Sequence, residues 1–207
     1  MQNKKGLFIA IEGSEASGKT TQVIRLYERI TKEYPMTSLV RSVEPAPNVR
    51  DSVTQAGIDN LTRLLFVAAG RRDTHTRFIK PRMLQGGIAL TDRYFLSTLV
   101  YQHEWSELAW WLHTSITDNL HPDLTIVLDC PAEVARGRLR TRPYLDELEN
   151  VPASELERRN AQFVAIGEAL YEATVIDGTL PEEEVADEIW KTVSPICLLY
   201  TSPSPRD

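Results

Sequence analysis

Residues 13–20 constrain the fold most tightly, because they read GSEASGKT and match the pattern G-x-x-x-x-G-K-[ST] without exception. An apolar run at residues 7–11 precedes them and helical spacing follows Gly18, which predicts a strand, a glycine loop and a helix in succession. In that setting the loop amides and the helix N-terminus point at phosphate oxygens. A plain strand-to-helix turn is the alternative interpretation. The residues predicted to surround a phosphate chain are Gly13, Ser14, Glu15, Ala16, Ser17, Gly18, Lys19, Thr20 and Thr21.

Short apolar runs recur along the chain and alternate with longer stretches of helical spacing. They lie at residues 38–43, 88–91, 124–128 and 174–176. Strand and helix repeated five times predict an α/β fold of three layers, a five-stranded parallel sheet with helices on both faces. Residues 1–196 contain no linker or internal repeat, so we expect a single domain there.

The composition excludes several classes of protein. With 207 residues, 42% hydrophobic and 25% charged, the chain is predicted to be globular, and no apolar stretch approaches the roughly 20 residues of a membrane span. The N-terminus does not resemble a secretory signal, which favours the cytoplasm. Two cysteines cannot form a disulfide framework or a four-ligand zinc site. Residues 146–196 contain 3 basic and 13 acidic side chains, which argues against a nucleic acid partner.

Two further groups of residues suggest phosphate chemistry. Asp92 and Arg93 follow the apolar run at 88–90, so they are predicted to reach the same crevice as the glycine loop. There Arg93 would contact a transferring phosphoryl group, and Asp92 would organise Mg²⁺ or hold Arg93. Four arginines lie within seven residues of a segment that we predict to be a mobile lid, about residues 136–150. A solvated basic face is the alternative. The four are Arg136, Arg138, Arg140 and Arg142.

The last eleven residues, CLLYTSPSPRD, differ in character from the rest. They carry two prolines, follow a helix-like stretch without continuing its period, and resemble one reading frame of a sequencing-library adapter. We therefore expect residues 197–207 to be a non-native tail, with an ordinary disordered terminus as the alternative.

With these segments in place, the chain resembles bacterial-type thymidylate kinase over residues 6–193. The resemblance rests on residues 8–13 and 18–22, on Glu44-Pro45, on residues 64–66 followed by Arg71 and 79–81, on 92–98 with 101–102, and on 122–129. It implies a P-loop NTPase fold that transfers the γ-phosphoryl group of ATP, with Mg²⁺, to dTMP to give dTDP. It also implies a homodimer.

The resemblance implies a role for individual positions. Glu15 matches an acidic residue near Mg²⁺ and the acceptor, and Arg93 matches an arginine that touches the transferred phosphate. Arg71 matches a hydrogen-bond donor to the thymine carbonyl, Thr98 the residue at the base N3–H, and Tyr101 the aromatic that disfavours a 2′-hydroxyl. The expected catalytic residues are Lys19, Arg93, Glu15, Arg138, Arg140 and Arg142, and the expected metal site is Thr20, Glu15 and Asp92. The expected substrate site is Glu44, Pro45, Arg50, Phe66, Val67, Arg71, Arg93, Thr98, Tyr101 and Gln102.

Several positions depart from the family pattern. Val43 replaces an arginine, for which Arg41 or, in a better position, Arg50 would substitute. The base-stacking aromatic falls on Val67, one residue from Phe66, and neighbours on a helix point about 100° apart. Asn160 also stands where an arginine is expected. These departures leave two alternatives open, a kinase for another deoxynucleoside monophosphate or deoxynucleoside, and an inactive ATP-binding remnant.

Three tryptophans, Trp105, Trp110 and Trp111, lie in a predicted helix at residues 105–112. Because adjacent residues of a helix point about 100° apart, both Trp110 and Trp111 are buried only if a second surface covers the helix. Core packing and a dimer interface are the two interpretations.

Overall fold

The computed structural model describes the backbone of residues 6–201 and the side chains of residues 6–198. Five parallel strands form one sheet in the order β2-β3-β1-β4-β5, which confirms the predicted α/β sheet and its five strands. The strands are β1 (Leu7–Gly13), β2 (Leu39–Val43), β3 (Ile88–Asp92), β4 (Leu124–Asp129) and β5 (Ala173–Asp177).

Helices connect the strands and cover both faces of the sheet. They are α1 (Lys19–Glu33), α2 (Pro47–Thr54), α3 (Asn60–Thr74), α4 (Lys80–Leu84), α5 (Phe95–Tyr101), α6 (Ser106–Ile116), α7 (Ala132–Leu139), α8 (Ala153–Ala169) and α9 (Glu182–Thr201). A π-helical turn, His75–Ile79, joins α3 to α4, and a 3₁₀ turn, His103–Trp105, precedes α6. Within residues 6–201 no helix is both long enough and apolar enough to span a bilayer.

The central strand β1 is buried on both faces, as its apolar sequence predicts. Its odd-numbered side chains, such as Ile9, pack with α1 and α9, and its even-numbered ones, such as Phe8, pack with the layer of α3–α6. Phe8 meets Tyr94 edge to face at 4.9 Å between ring centroids. This packing fixes the carboxyl end of β1, where the glycine loop begins.

Helix α9 continues past Ile196, near which the sequence predicts that the native chain was cut or misread and the tail begins. Cys197 is buried and lies four residues after Val193, on the stripe that also includes Val185 and Ile189. This spacing keeps Cys197 on the core face of the helix, which extends to Thr201. Residues 202–207 lie outside the described part of the chain, and the non-native origin of the tail stays a prediction.

Candidate active site

The glycine loop joins β1 directly to the first turn of α1. Gly13 has φ 145° and Gly18 has φ 97°, values that side chains with a Cβ rarely adopt. A Cβ at Gly13 would also approach the Leu128 carbonyl oxygen to 2.8 Å. The two glycines therefore permit the turn that aims the N-terminus of α1 at the cleft, as in phosphate-binding loops.

Lys19 is buried at the start of α1 and bonds within its own loop. Its Nζ donates to the Ser14 carbonyl oxygen and, at 3.1 Å, to Ser17 Oγ. Burial, reinforced by the nearby Arg93 guanidinium, lowers the pKa of Lys19 to about 7. Phosphate oxygens would supply the negative charge that favours the ammonium form in this position.

Three oxygen-bearing side chains line the cleft together with Lys19. The Thr20 hydroxyl donates to Asp92 Oδ2, and the Glu15 carboxylate lines the same cleft. Glu15 Oε1 accepts hydrogen bonds from Tyr101 Oη at 2.8 Å and from Arg159 Nη1 at 2.5 Å. Glu15 Oε2 is buried and has no hydrogen-bond partner among the described residues. Carboxylate and hydroxyl oxygens are the donors that Mg²⁺ prefers, so this set fits the ion.

Arg93 lies between the glycine loop and α5. It follows β3 with φ 69°, and its amide donates to the Ile11 carbonyl oxygen. Its Nη1 is 3.2 Å from the Gly13 carbonyl oxygen, 3.2 Å from Ser97 Oγ and 3.3 Å from Tyr101 Oη. These contacts hold a permanent positive charge in the wall of the cleft.

Arg71 and Glu44 form a buried ion pair that lines the same cleft. Arg71 Nε lies 3.0 Å from each carboxylate oxygen of Glu44, and Nη2 lies 2.7 Å from Oε2. Arg71 Nη2 also donates to the Thr98 hydroxyl at 2.8 Å and to the Tyr94 carbonyl oxygen at 3.1 Å. The guanidinium is thus held rigidly by Nε and Nη2, while none of these bonds uses Nη1.

The cleft brings together most of the residues expected to bind substrates. Lys19, Arg71 and Arg93 all line it, although they are far apart in sequence. The other expected residues along its wall are Glu15, Ala16, Gly18, Thr20, Thr21, Glu44, Pro45, Arg50, Val67, Asp92, Thr98, Tyr101, Gln102 and Arg142.

Phe66 does not line the cleft, which differs from the predicted substrate site. Helix α3 is regular from Asn60 to Thr74, and the π-helical turn begins only at His75, after Arg71. Because no bulge separates Val67 from Arg71, these two residues share a face four positions apart, and Phe66 is rotated away. The wall at this position is therefore aliphatic. Arg50 lines the cleft whereas the exposed Arg41 does not, so of the two substitutes only Arg50 is in place.

The lid arginines occupy different environments. Arg142 lines the cleft and pairs with Glu149 within the lid. Arg138, on α7, donates to the Ala16 carbonyl oxygen at 3.1 Å and to the Gly178 carbonyl oxygen at 2.8 Å. Arg140 follows the last residue of α7 and is exposed. Neither Arg138 nor Arg140 lines the cleft, which differs from the expectation that both face the reacting phosphates, because Arg138 bonds to the loop backbone and Arg140 lies at the surface.

Three buried residues near the loop were not predicted as site residues. Glu12 accepts from Ser97 Oγ at 2.6 Å and from the Tyr94 amide at 2.8 Å, and burial raises its pKa. Asn160 donates to Asp129 Oδ1 at 2.7 Å and accepts from the Cys130 amide at 2.9 Å. Arg159 contacts Glu15. Only Asn160 carried a sequence signal, as a departure from the family pattern, because burial of the other two depends on tertiary packing.

The fold and site define a nucleotide-binding phosphotransferase of the P-loop class. The defining features are a parallel sheet with a glycine loop at its centre, a lysine and a threonine at the helix start, and cations along one cleft. A sequence model of the thymidylate kinase family matches residues 11–189. The thymidylate kinase of Deinococcus radiodurans is 32% identical over 200 residues, which cover 92% of this chain and 97% of that protein. That of Thermomicrobium roseum is 34% identical over 207 aligned residues, 91% of this chain and 95% of that protein. The chain belongs to the thymidylate kinase family.

Proposed function

We propose that this protein transfers the γ-phosphoryl group of ATP to dTMP, giving dTDP and ADP. The observation that carries the proposal is the convergence of Lys19, Arg93 and Arg71 on one cleft. Lys19 and the loop amides would hold the phosphates of ATP at one end, and Arg71 with Thr98 would hold the base of dTMP at the other. Arg93, which contacts both the glycine loop and Tyr101, would lie where the two phosphate groups meet.

The proposed reaction is catalysed mainly by positioning of the reactants and by charge stabilisation, without a covalent intermediate on the protein. An oxygen of the dTMP phosphate attacks the γ-phosphorus of ATP, and the bond from that phosphorus to the bridging oxygen of ADP breaks. The attacking oxygen is ionised at neutral pH, so no side-chain base is required. Arg93 and Arg142 would stabilise the charge spread over the transferred group. Mg²⁺, held by Thr20, Asp92 and Glu15 together with phosphate oxygens, would neutralise charge on the β and γ phosphates.

The acceptor end of the cleft supports a pyrimidine deoxynucleotide. Arg71 offers Nη1 and Thr98 its hydroxyl, a donor and an acceptor matched to the thymine O4 and N3–H. Tyr101 is fixed by Glu15 and Arg93 and would lie against the sugar. Because Val67 supplies no aromatic face, discrimination against dUMP would depend on the thymine methyl group, worth about 1–3 kcal/mol in an apolar pocket.

A panel of acceptors tests the proposal. ADP release would be measured with dTMP, dUMP, dGMP, dCMP and thymidine at fixed ATP and Mg²⁺. We expect the highest kcat/KM with dTMP. A higher value for another acceptor would replace dTMP in the proposal, and tight ATP binding with no transfer to any of the five would favour the inactive remnant.

We also propose that the protein is a homodimer and acts in the cytoplasm. Trp110 and Trp111 on α6 are 50% and 61% exposed, so the interpretation of complete core packing does not hold for them. Leu65 and Phe78, in or next to the neighbouring helix α3, are also exposed. Large apolar side chains of this kind are typical of subunit contacts. Sedimentation should give a dimer that the Trp111→Glu substitution weakens, and a monomeric wild-type protein would exclude the proposal.

A further inference from the structure

We propose that Arg159 is a positioning residue for the phosphoryl transfer, one that holds Glu15 in its working orientation and anchors the lid to the glycine loop. The inference rests on the phosphotransfer proposed above. Arg159 lies on α8, and neither the family pattern nor the glycine-loop motif assigns it a role.

Arg159 reaches two separate parts of the active site with one nitrogen atom. Its Nη1 donates to Glu15 Oε1 at 2.5 Å and to the Leu148 carbonyl oxygen at 2.7 Å. Its Nε donates to Glu155 Oε1 at 2.8 Å, one helical turn earlier. The guanidinium carbon lies 4.9 Å from the centre of the Tyr101 ring, within cation–π range.

Because both side chains are buried, the charge of Glu15 depends on its contact with Arg159 for compensation. Their side chains are only 8% and 3% exposed. A carboxylate taken out of water at such a position is strongly disfavoured unless a cation and hydrogen bonds compensate it. Arg159 is the cation bonded to Glu15, and the second donor to the same oxygen is the neutral Tyr101 hydroxyl.

The two donors bind the same oxygen of Glu15. With Oε1 occupied by Arg159 and Tyr101, the plane of the carboxylate is fixed, and Oε2 remains buried without a partner among the described residues. A buried acceptor without a partner is uncommon in folded proteins, and because Glu15 also lines the cleft, a bound cation would satisfy this oxygen. By occupying Oε1, Arg159 and Tyr101 leave Oε2 as the Glu15 oxygen that would be available to the Mg²⁺ of the bound nucleotide.

The bond to Leu148 extends this arrangement to the lid. Leu148 lines the cleft, together with Asp146 and Glu149. One nitrogen of Arg159 contacts both the lid backbone and Glu15. Arg159 therefore links the lid to the glycine loop. This differs from Arg142, whose ion pair with Glu149 lies within the lid.

Arg159→Ala should be compared with Arg159→Lys and with the control Arg158→Ala. Arg158 is next in sequence and also pairs with Glu155, but its other hydrogen bond goes to Gln162 and none goes to the loop. We expect Arg159→Ala to lower kcat at least tenfold, with a smaller change in KM for dTMP, and to need more Mg²⁺ for half-maximal rate. Arg159→Lys should recover part of kcat, and Arg158→Ala should stay within about twofold of the wild type.

Two readouts do not depend on turnover. Mn²⁺ binding in the presence of a non-hydrolysable ATP analogue, followed by electron paramagnetic resonance, should weaken in Arg159→Ala and not in Arg158→Ala. Trypsin should cut more rapidly after the exposed Arg140 in Arg159→Ala, because the lid has lost its anchor at Leu148.

A double-mutant cycle with Glu15→Gln separates positioning from general destabilisation. If Arg159 acts through Glu15, adding Arg159→Ala to Glu15→Gln should reduce kcat by no more than about threefold. An equal loss of kcat in the Arg158→Ala and Arg159→Ala variants, or an undiminished loss in the Glu15→Gln background, would overturn the inference. Should Arg159→Ala fail to fold, the loss of kcat caused by Arg159→Lys or Arg159→Gln in the wild-type background is compared with the loss in the Glu15→Gln background. An inactive wild-type protein would instead count against the phosphotransfer itself.

Discussion

The buried pair of Arg71 and Glu44 gives a stability prediction that does not depend on substrate choice. Arg71→Met keeps most of the side-chain volume and removes the three short contacts to the carboxylate. Removing one partner of a buried pair costs about 3–5 kcal/mol, because the other charge is left uncompensated. For a chain of this size each kcal/mol shifts the melting temperature by about 2–4 °C. We therefore expect a fall of about 6–20 °C in calorimetry at pH 8.

The pH dependence of this loss has a definite sign. Burial raises the pKa of Glu44, and the Arg71 charge opposes that rise. Without Arg71 the folded-state pKa of Glu44 goes higher still. A carboxyl whose pKa is raised by folding stabilises the protein below its unfolded pKa, and that contribution disappears as the pH rises through the folded value. The deficit of Arg71→Met relative to wild type should thus be smaller at pH 5 than at pH 8.

Glu44→Gln supplies the control for this reasoning. The amide removes the charge that Arg71→Met leaves unpaired, so the double variant should melt above Arg71→Met at pH 8 and show little pH dependence of its deficit. A melting temperature of Arg71→Met within about 3 °C of the wild type at pH 8, or a deficit that grows toward pH 5, would refute the argument.

Three further predictions follow from individual side chains. Arg93→Ala should reduce kcat by about two orders of magnitude or more in the ADP-release assay, since it removes fixed charge at the reacting phosphates; near-normal turnover would exclude Arg93 from the reaction. Val67→Phe should lower KM for dTMP about fivefold or more, because base stacking on an aromatic ring contributes about 1–3 kcal/mol, and an unchanged KM would show that the base does not contact this wall. Arg138→Ala should weaken ATP binding in calorimetry and lower the melting temperature, whereas Arg140→Ala should change stability little; equal effects would contradict their different environments.

The sequence predicted the sheet and the centre of the site because both depend on local patterns. Apolar runs marked all five strands, and the glycine loop and Asp92-Arg93 follow two of them at the carboxyl edge. The order of the strands was not predicted, because it depends on contacts between distant segments. The same is true of Arg159, whose burial against Glu15 arises only when α8 packs across the loop. The environments of Arg138 and Arg140 depend on where α7 ends, and helix ends are set by packing as much as by sequence.

Because β1 is the central strand, the cleft receives side chains from segments on both sides of it. Glu44, Arg71 and Thr98 reach it from segments that follow or flank β2 and β3, whereas the lid and Arg159 come from segments after β4. Under the proposed function, substitutions at Glu44, Arg71 or Thr98 would alter the contacts to the base without removing a side-chain hydrogen bond to the glycine loop. Val67, which lines the cleft from α3, is a position of the same kind.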